Sequence, residues 1–195
     1  MGLRGRSIFG DQGLVFFVTT TIVHHAPIFG FGRQYYLILI ESLKFVLSKY
    51  QAVLFAYVLM PSHIHLVIAM PEKKSISDLL RDFKKYTSTR IRQQLEKEGK
   101  SDTIERLRMN AEDKKNQMFK LWMDRFDDLV IDDDETMQIK IEYIHNNPVK
   151  AGFVEQPELW EFSSARNYIL GDHSLMSVSV DWEIPSSEGA SGGNS

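Results

Sequence analysis

The apolar positions of this chain follow two periods, and their alternation predicts the order of its elements. Leu14 to Val23 is rich in β-branched and aromatic residues (Val15, Phe16, Phe17, Val18, Thr19 to Thr21, Ile22), as a strand prefers. Arg33 to Tyr50 sets Tyr36, Leu37, Ile40, Leu43, Phe45, Val46 and Leu47 at helical spacing, so an amphipathic helix is expected. Val53 to Leu59 reads as a second strand, Met60-Pro61-Ser62 as a tight connection, and Ile64 to Ala69 as a third strand returning in a hairpin. Ser75 to Glu98 predicts a long helix, with Ser75 as N-cap, Asp78 as its reciprocal partner, and Gly99 as the stop. Leu129-Val130-Ile131 predicts a short fourth strand. Asp134 to Asn147 predicts another helix: acids at 132–135 favour its start, and Pro148 forces its end, which leaves Asn147 at a frayed terminus.

Strand-helix-strand-strand-helix-strand is the ferredoxin-like split βαβ pattern. The fold class expected is therefore α+β with an antiparallel sheet, a helical insertion at residues 99–120 and an extra C-terminal helix. Residues 1–185 read as a single domain, and residues 186–195 as a disordered polar tail rich in Ser and Gly.

Composition narrows the class further. At 195 residues and 43% hydrophobic content, the chain can bury one good core. No apolar run approaches the roughly 18 residues that span a bilayer, so no membrane association is expected. The absence of cysteine excludes disulfides and thiolate metal sites, and fits a reducing cytoplasm. The net charge of −3 argues, by itself, against nucleic acid. The way the charge is distributed argues the other way. Asp124 to Glu135 holds seven acids against one arginine, so the remainder of the chain is net positive. Arg81 to Arg92 carries Arg81, Lys84, Lys85, Arg90 and Arg92 against Asp82 alone, a stripe able to hold phosphates. Without further motifs, a solvated helix face would explain the stripe as well.

The chemistry starts at His63-Ile64-His65. Side chains alternate along a strand, so both imidazoles point one way, about 7 Å apart, and make half of a divalent metal site. A pair of ordinary histidines on a half-polar strand is the bland alternative. On the Asp134–Asn147 helix, Tyr143 and Asn147 are one turn apart on a shared face. If that face covers the histidines, a phenol, an amide oxygen and two imidazoles converge.

These segments carry a resemblance. Met60-Pro61-Ser62-His63-Ile64-His65-Leu66, Ser75 to Leu80 with Phe83-Lys84-Lys85, Leu121 to Phe126, Tyr143-Ile144-His145-Asn146-Asn147-Pro148-Val149 and Ser163 to Arg166 follow one another in order. In that order they resemble the single-tyrosine HUH (IS200-like) transposases, and within them the REP-associated tyrosine transposases, over about residues 14 to 170. The resemblance implies Tyr143 as catalytic nucleophile, with His63, His65 and Asn147 as ligands of Mg²⁺ or Mn²⁺. Members often place glutamine where this chain has Asn147. His145 is the competing third ligand, although two residues along a helix is about 200° around.

The implied partner is single-stranded or hairpin DNA, contacted by Arg81, Lys84, Lys85, Tyr86, Arg90 and Arg92. The implied reaction is strand cleavage and rejoining through a 5′-phosphotyrosine. Two other readings compete: a catalytically weak or inactive hairpin-binding protein of the same fold, and a plasmid-type relaxase or replication initiator, disfavoured by the short chain and the Asn-Pro-Val segment. Monomer and homodimer both remain open. Tyr86 could be a second nucleophile, with base stacking or a core role ahead of it. His24 and His25, being adjacent, are expected on opposite faces, Trp122 and Phe126 as core anchors, and Arg166 either on phosphate or beside a helix cap at Ser163 or Ser164.

Overall fold

A computed structural model describes residues 13–109 and 119–182. The predicted polar tail, and residues 110–118 of the expected insertion, lie outside those residues. Strand β1 (Leu14–Thr21) leads through two short 3₁₀ turns to α1 (Arg33–Tyr50). Then come β2 (Val53–Leu59), β3 (His63–Met70), α2 (Ile76–Lys97), α3 (Ser101–Met109), β4 (Asp127–Ile131), α4 (Asp134–Lys150) and α5 (Ala165–Leu170). The strands form one antiparallel sheet in the order β2-β3-β1-β4, which is the ferredoxin-like arrangement.

Alternation along β3 decides what each face of the sheet covers. Ile64, Leu66 and Ile68 join Leu39, Leu43, Leu79 and Phe83 in one core under α1 and α2. Val67 and Ala69 join Met137, Ile141 and Ile144 in a second core under α4. His63 and His65 have the parity of Val67, so they emerge on the α4 face. A break in register between Leu54 and Ala56 keeps β2 in step with both cores.

Several boundaries depart from the sequence expectation. β1 stops at Thr21, and Ile22 makes only an isolated bridge to Trp122. The chain then turns sharply: His24 and His25 both have positive φ (56° and 53°), so the strand rule does not apply to them. β4 starts two residues early, because Asp127 and Asp128 pair with Thr19 and Val18 despite their low strand preference. Phe45, counted with the apolar face of α1, is 54% exposed. Ser75 does cap α2 by accepting from the Asp78 amide, while the Asp78 carboxylate bonds Arg81 at 2.6 Å.

The correction that matters most is at α4. Pro148 does not end it: the helix runs on to Lys150. Gly152, at φ +74°, closes it with Gly152 N–H donating to Val149 and Phe153 N–H donating to Pro148, a Schellman motif. Within the last turn the proline forfeits one bond and the closing pair compensates. Asn147 therefore sits inside the helix rather than at a frayed end.

Candidate active site

Three elements build the site. β3 carries the histidines, its neighbour β1 supplies Phe17 and Thr19, and α4 lies across them. Thr19 faces His65 in the β1–β3 register, and its hydroxyl lies 2.8 Å from His65 Nδ1. That contact fixes the ring and leaves Nε2 to offer a lone pair in the tautomer whose Nδ1–H donates. Ser62 Oγ stands 3.2 Å from His63 Nδ1 in the same relation. The imidazole centroids are 4.9 Å apart.

Tyr143 closes over this pair. Its ring centroid is 5.2 Å from His65 and 5.8 Å from Phe17, edge-on to both, while Phe17 stacks flat on His65 at 5.6 Å. The tyrosine remains 39% exposed, so a substrate can reach its hydroxyl. One turn on, the Asn147 side chain lies near enough to His63 to favour its charged form, against the effect of burial. Tyr143 thus meets His65 with His63 alongside, and Asn147 follows one turn along the same helix face. His145 is elsewhere: it is buried against Tyr168, and its Nε2 lies 2.9 Å from Ser164 Oγ.

Burial sets the protonation of the histidines. It pushes His65 down to about 3, with a smaller contribution from His63, and it lowers His63 against the opposing influence of Asn147. Both rings are neutral at pH 7, the form that binds a metal. No group of three His, Asp or Glu side chains that could hold an ion occurs among the described residues. An ion here would have two imidazoles and an amide oxygen, with positions left for phosphate and water. That donor set fits Mg²⁺ or Mn²⁺.

Sequence reasoning missed two cations. Lys150 Nζ lies 5.6 Å from the Tyr143 ring centre and Lys140 Nζ 4.8 Å from that of Phe17. Lys140, Tyr143, Asn147 and Lys150 follow the 3-4-3 spacing of one helix face, a signal present in the sequence. Thr19 and Phe17 could be found only from the strand register.

The basic stripe of α2 lies across the sheet from this site, since α2 covers the other core. Its members differ in role. Lys84 donates to the carbonyls of Met123 and Arg125, and burial lowers it to about 8. Arg81 pairs with Asp78 at 2.6 Å and Arg92 with Glu96 at 3.7 Å. Arg90 rests over the Tyr86 ring. Lys85 has no ion pair among the described residues. Arg166 chelates the Asp172 carboxylate and donates to the Glu158 carbonyl, which makes it a structural clamp. Ser163 Oγ accepts from the Ala165 amide at the start of α5, and Trp122 is buried with its Nε1 donating to Thr87. No helix among the described residues is long and apolar enough to cross a membrane.

Comparison with known proteins gives this geometry a family. A protein from Haemophilus influenzae (strain ATCC 51907 / DSM 11121 / KW20 / Rd), named as a candidate REP-associated tyrosine transposase, is 32% identical over 109 residues. That match spans 56% of this chain and 56% of the relative, so only about half of the relative's length is represented. The solved structure of a REP-associated tyrosine transposase bound to a REP hairpin superposes with a TM-score of 0.59 at 22% identity, over 86% of this chain and 87% of that one. This second likeness speaks to the fold. The model of the family described as "Transposase IS200 like" matches residues 31–147, more than half of the chain and from α1 through Asn147. The chain belongs to the IS200-like transposase family.

Proposed function

We propose that this chain is a metal-dependent transposase that cleaves and rejoins single-stranded DNA beside hairpins, with Tyr143 as nucleophile. The observation that carries the reading is the 5.2 Å approach of the Tyr143 ring to His65, with His63 alongside, on an open surface. Hairpin DNA as the substrate class is supported by the hairpin-bound relative of the same fold.

The residues divide the work. The Tyr143 oxygen attacks phosphorus and gives up its proton to solvent. The bond from phosphorus to the 3′ oxygen breaks, and that oxygen takes up a proton and leaves as a free hydroxyl. The 5′ end stays on Tyr143 as a phosphodiester. A phenol ordinarily titrates near 10, so it is a weak nucleophile at neutral pH. Mg²⁺ or Mn²⁺, held by His63, His65 and Asn147, would polarise the phosphate and offset charge in the transition state. Lys140 and Lys150 draw the phosphate toward the phenol. Tyr143 and Asn147 share one rigid helix, so nucleophile and ligand keep their spacing. Because the bond energy is retained in the phosphodiester, another 3′ hydroxyl can reverse the step and join strands.

The test uses labelled single-stranded DNA flanking a hairpin, incubated with Mn²⁺. Tyr143→Phe should stop cleavage while hairpin binding persists. Cleavage by Tyr143→Phe at the wild-type rate would overturn the proposal. Tight hairpin binding with no cleavage by the wild-type chain, under either ion, would make it a binding protein instead.

A further inference from the structure

We propose that Phe45 and Tyr86 form a second nucleic-acid contact, a stacking site for an unpaired base, on the helical face opposite the tyrosine site. The proposal rests on the reading that the chain handles single-stranded DNA. Phe45 on α1 and Tyr86 on α2 are 54% and 39% exposed, and their rings stack at 5.9 Å with 23° between planes. Two large rings left side by side in solvent contribute little to the core, and they offer a ready π-face.

The surroundings are cationic. Arg90 lies 5.9 Å above the Tyr86 ring and donates to its hydroxyl at 3.2 Å. Lys49 and Lys85 line the same hollow of about 330 Å³, where Asp82 is the one acid among the lining residues. Lys49 is held by Asp82 at 2.6 Å. Lys85 has no ion pair among the described residues, and the contact of Arg90 with Glu41 is long, at 3.9 Å. Two cations are thus placed to meet phosphates on either side of a stacked base. This local positive excess stands against a chain of net charge −3. Aromatic stacking with flanking cations holds single strands without sequence preference. A second copy of the chain fits poorly, because a symmetric contact would set like charges against each other.

The two sites lie on opposite faces of the sheet, so one strand reaches both only by passing around its edge. The platform therefore holds flanking single strand and not the phosphate being cut. The experiment uses the full chain without metal and a single-stranded oligonucleotide of about 30 nucleotides carrying 2-aminopurine at successive positions. Wild type should bind it and quench one stretch of probes. Phe45→Ala with Tyr86→Ala should weaken binding about tenfold and abolish that quenching, while Tyr86→Phe keeps both. Lys85→Gln with Arg90→Gln leaves the rings in place and should lower the salt slope by between one and two units, a reading independent of any folding defect in the first pair. Unchanged affinity and quenching in the ring variant, with the wild type binding, would overturn the platform and leave the tyrosine reading intact. No binding by the wild type would overturn the platform. Loss of self-association with unaltered DNA affinity would assign the surface to a second copy and overturn the proposal.

Discussion

The ring of Tyr143 sits edge-on to the imidazole of His65, with 5.2 Å between their centroids. One contact thus joins the helix that carries Tyr143 to the strand that carries both histidines. Asn147, one turn along that helix, is proposed to share an ion with His63 and His65, so nucleophile and ligands are held by one helix and one strand.

Removing these ligands should show in metal affinity. Titration calorimetry with Mn²⁺ is expected to show binding that collapses in the His63→Ala, His65→Ala double variant. Asn147→Ala should weaken it by about 10- to 100-fold. Affinity unchanged in the double variant would place the ion elsewhere.

The pH dependence of that affinity follows from burial. A free imidazole loses its metal-binding form below about 6.5, and a fall in affinity below about 6 is what the sequence leads one to expect. In the fold His65 is held at about 3 and His63 is also lowered, so neutral rings persist to lower pH. Mn²⁺ affinity should therefore begin to fall at a lower pH than free imidazoles would give. A midpoint near 6.5 would contradict the burial argument.

Stability should respond in the same direction. His145 is buried and lowered to about 4. Above 6.5 neither folded nor unfolded chain protonates it. Between 6.5 and about 4 only the unfolded chain does, so stability is complete above that window and drains away as pH falls through it. Urea midpoints measured from pH 7 to 4.5 should decline, and His145→Gln should make the decline shallower. An equal slope in that variant would assign the loss to other groups.

How much of this could be read from the sequence differs between elements. The shared face of His63 and His65 follows from the two-residue period of a strand, and β2 and α1 have the bounds their apolar patterns predict. β4 is half hidden, since Asp127 and Asp128 enter a strand through pairing with β1 and not through propensity. Pro148 misleads because a local rule omits Gly152, whose positive φ supplies the closure that lets α4 continue. The Thr19–His65 contact needs the strand register, and the Tyr143–His65 contact needs the packing of α4, neither of which is local. The stripe on α2 looks uniform in sequence, yet packing divides it into a buried Lys84, paired arginines and a Lys85 with no ion pair among the described residues.

That division makes a contrast among charge variants. Lys84→Ala should lower stability by about 1–3 kcal/mol, because it leaves the Met123 and Arg125 carbonyls without their donor. Lys85→Ala should leave stability within about 0.5 kcal/mol and reduce the salt slope of single-strand DNA binding by about 0.7. Melting curves and salt titrations separate the two effects. A normal melting temperature in Lys84→Ala, with a reduced slope, would mean that this lysine serves DNA and not the fold.

The most direct measurement identifies the residue that becomes attached to DNA. Wild-type chain incubated with Mn²⁺ and hairpin-flanked single-stranded DNA, then digested and sequenced by mass spectrometry, should yield a nucleotide-bearing peptide modified at Tyr143. The Tyr143→Phe chain should yield none, and Tyr86→Phe should yield the same peptide as wild type. Modification at Tyr86, or an adduct that survives Tyr143→Phe, would contradict the assignment of Tyr143 as nucleophile.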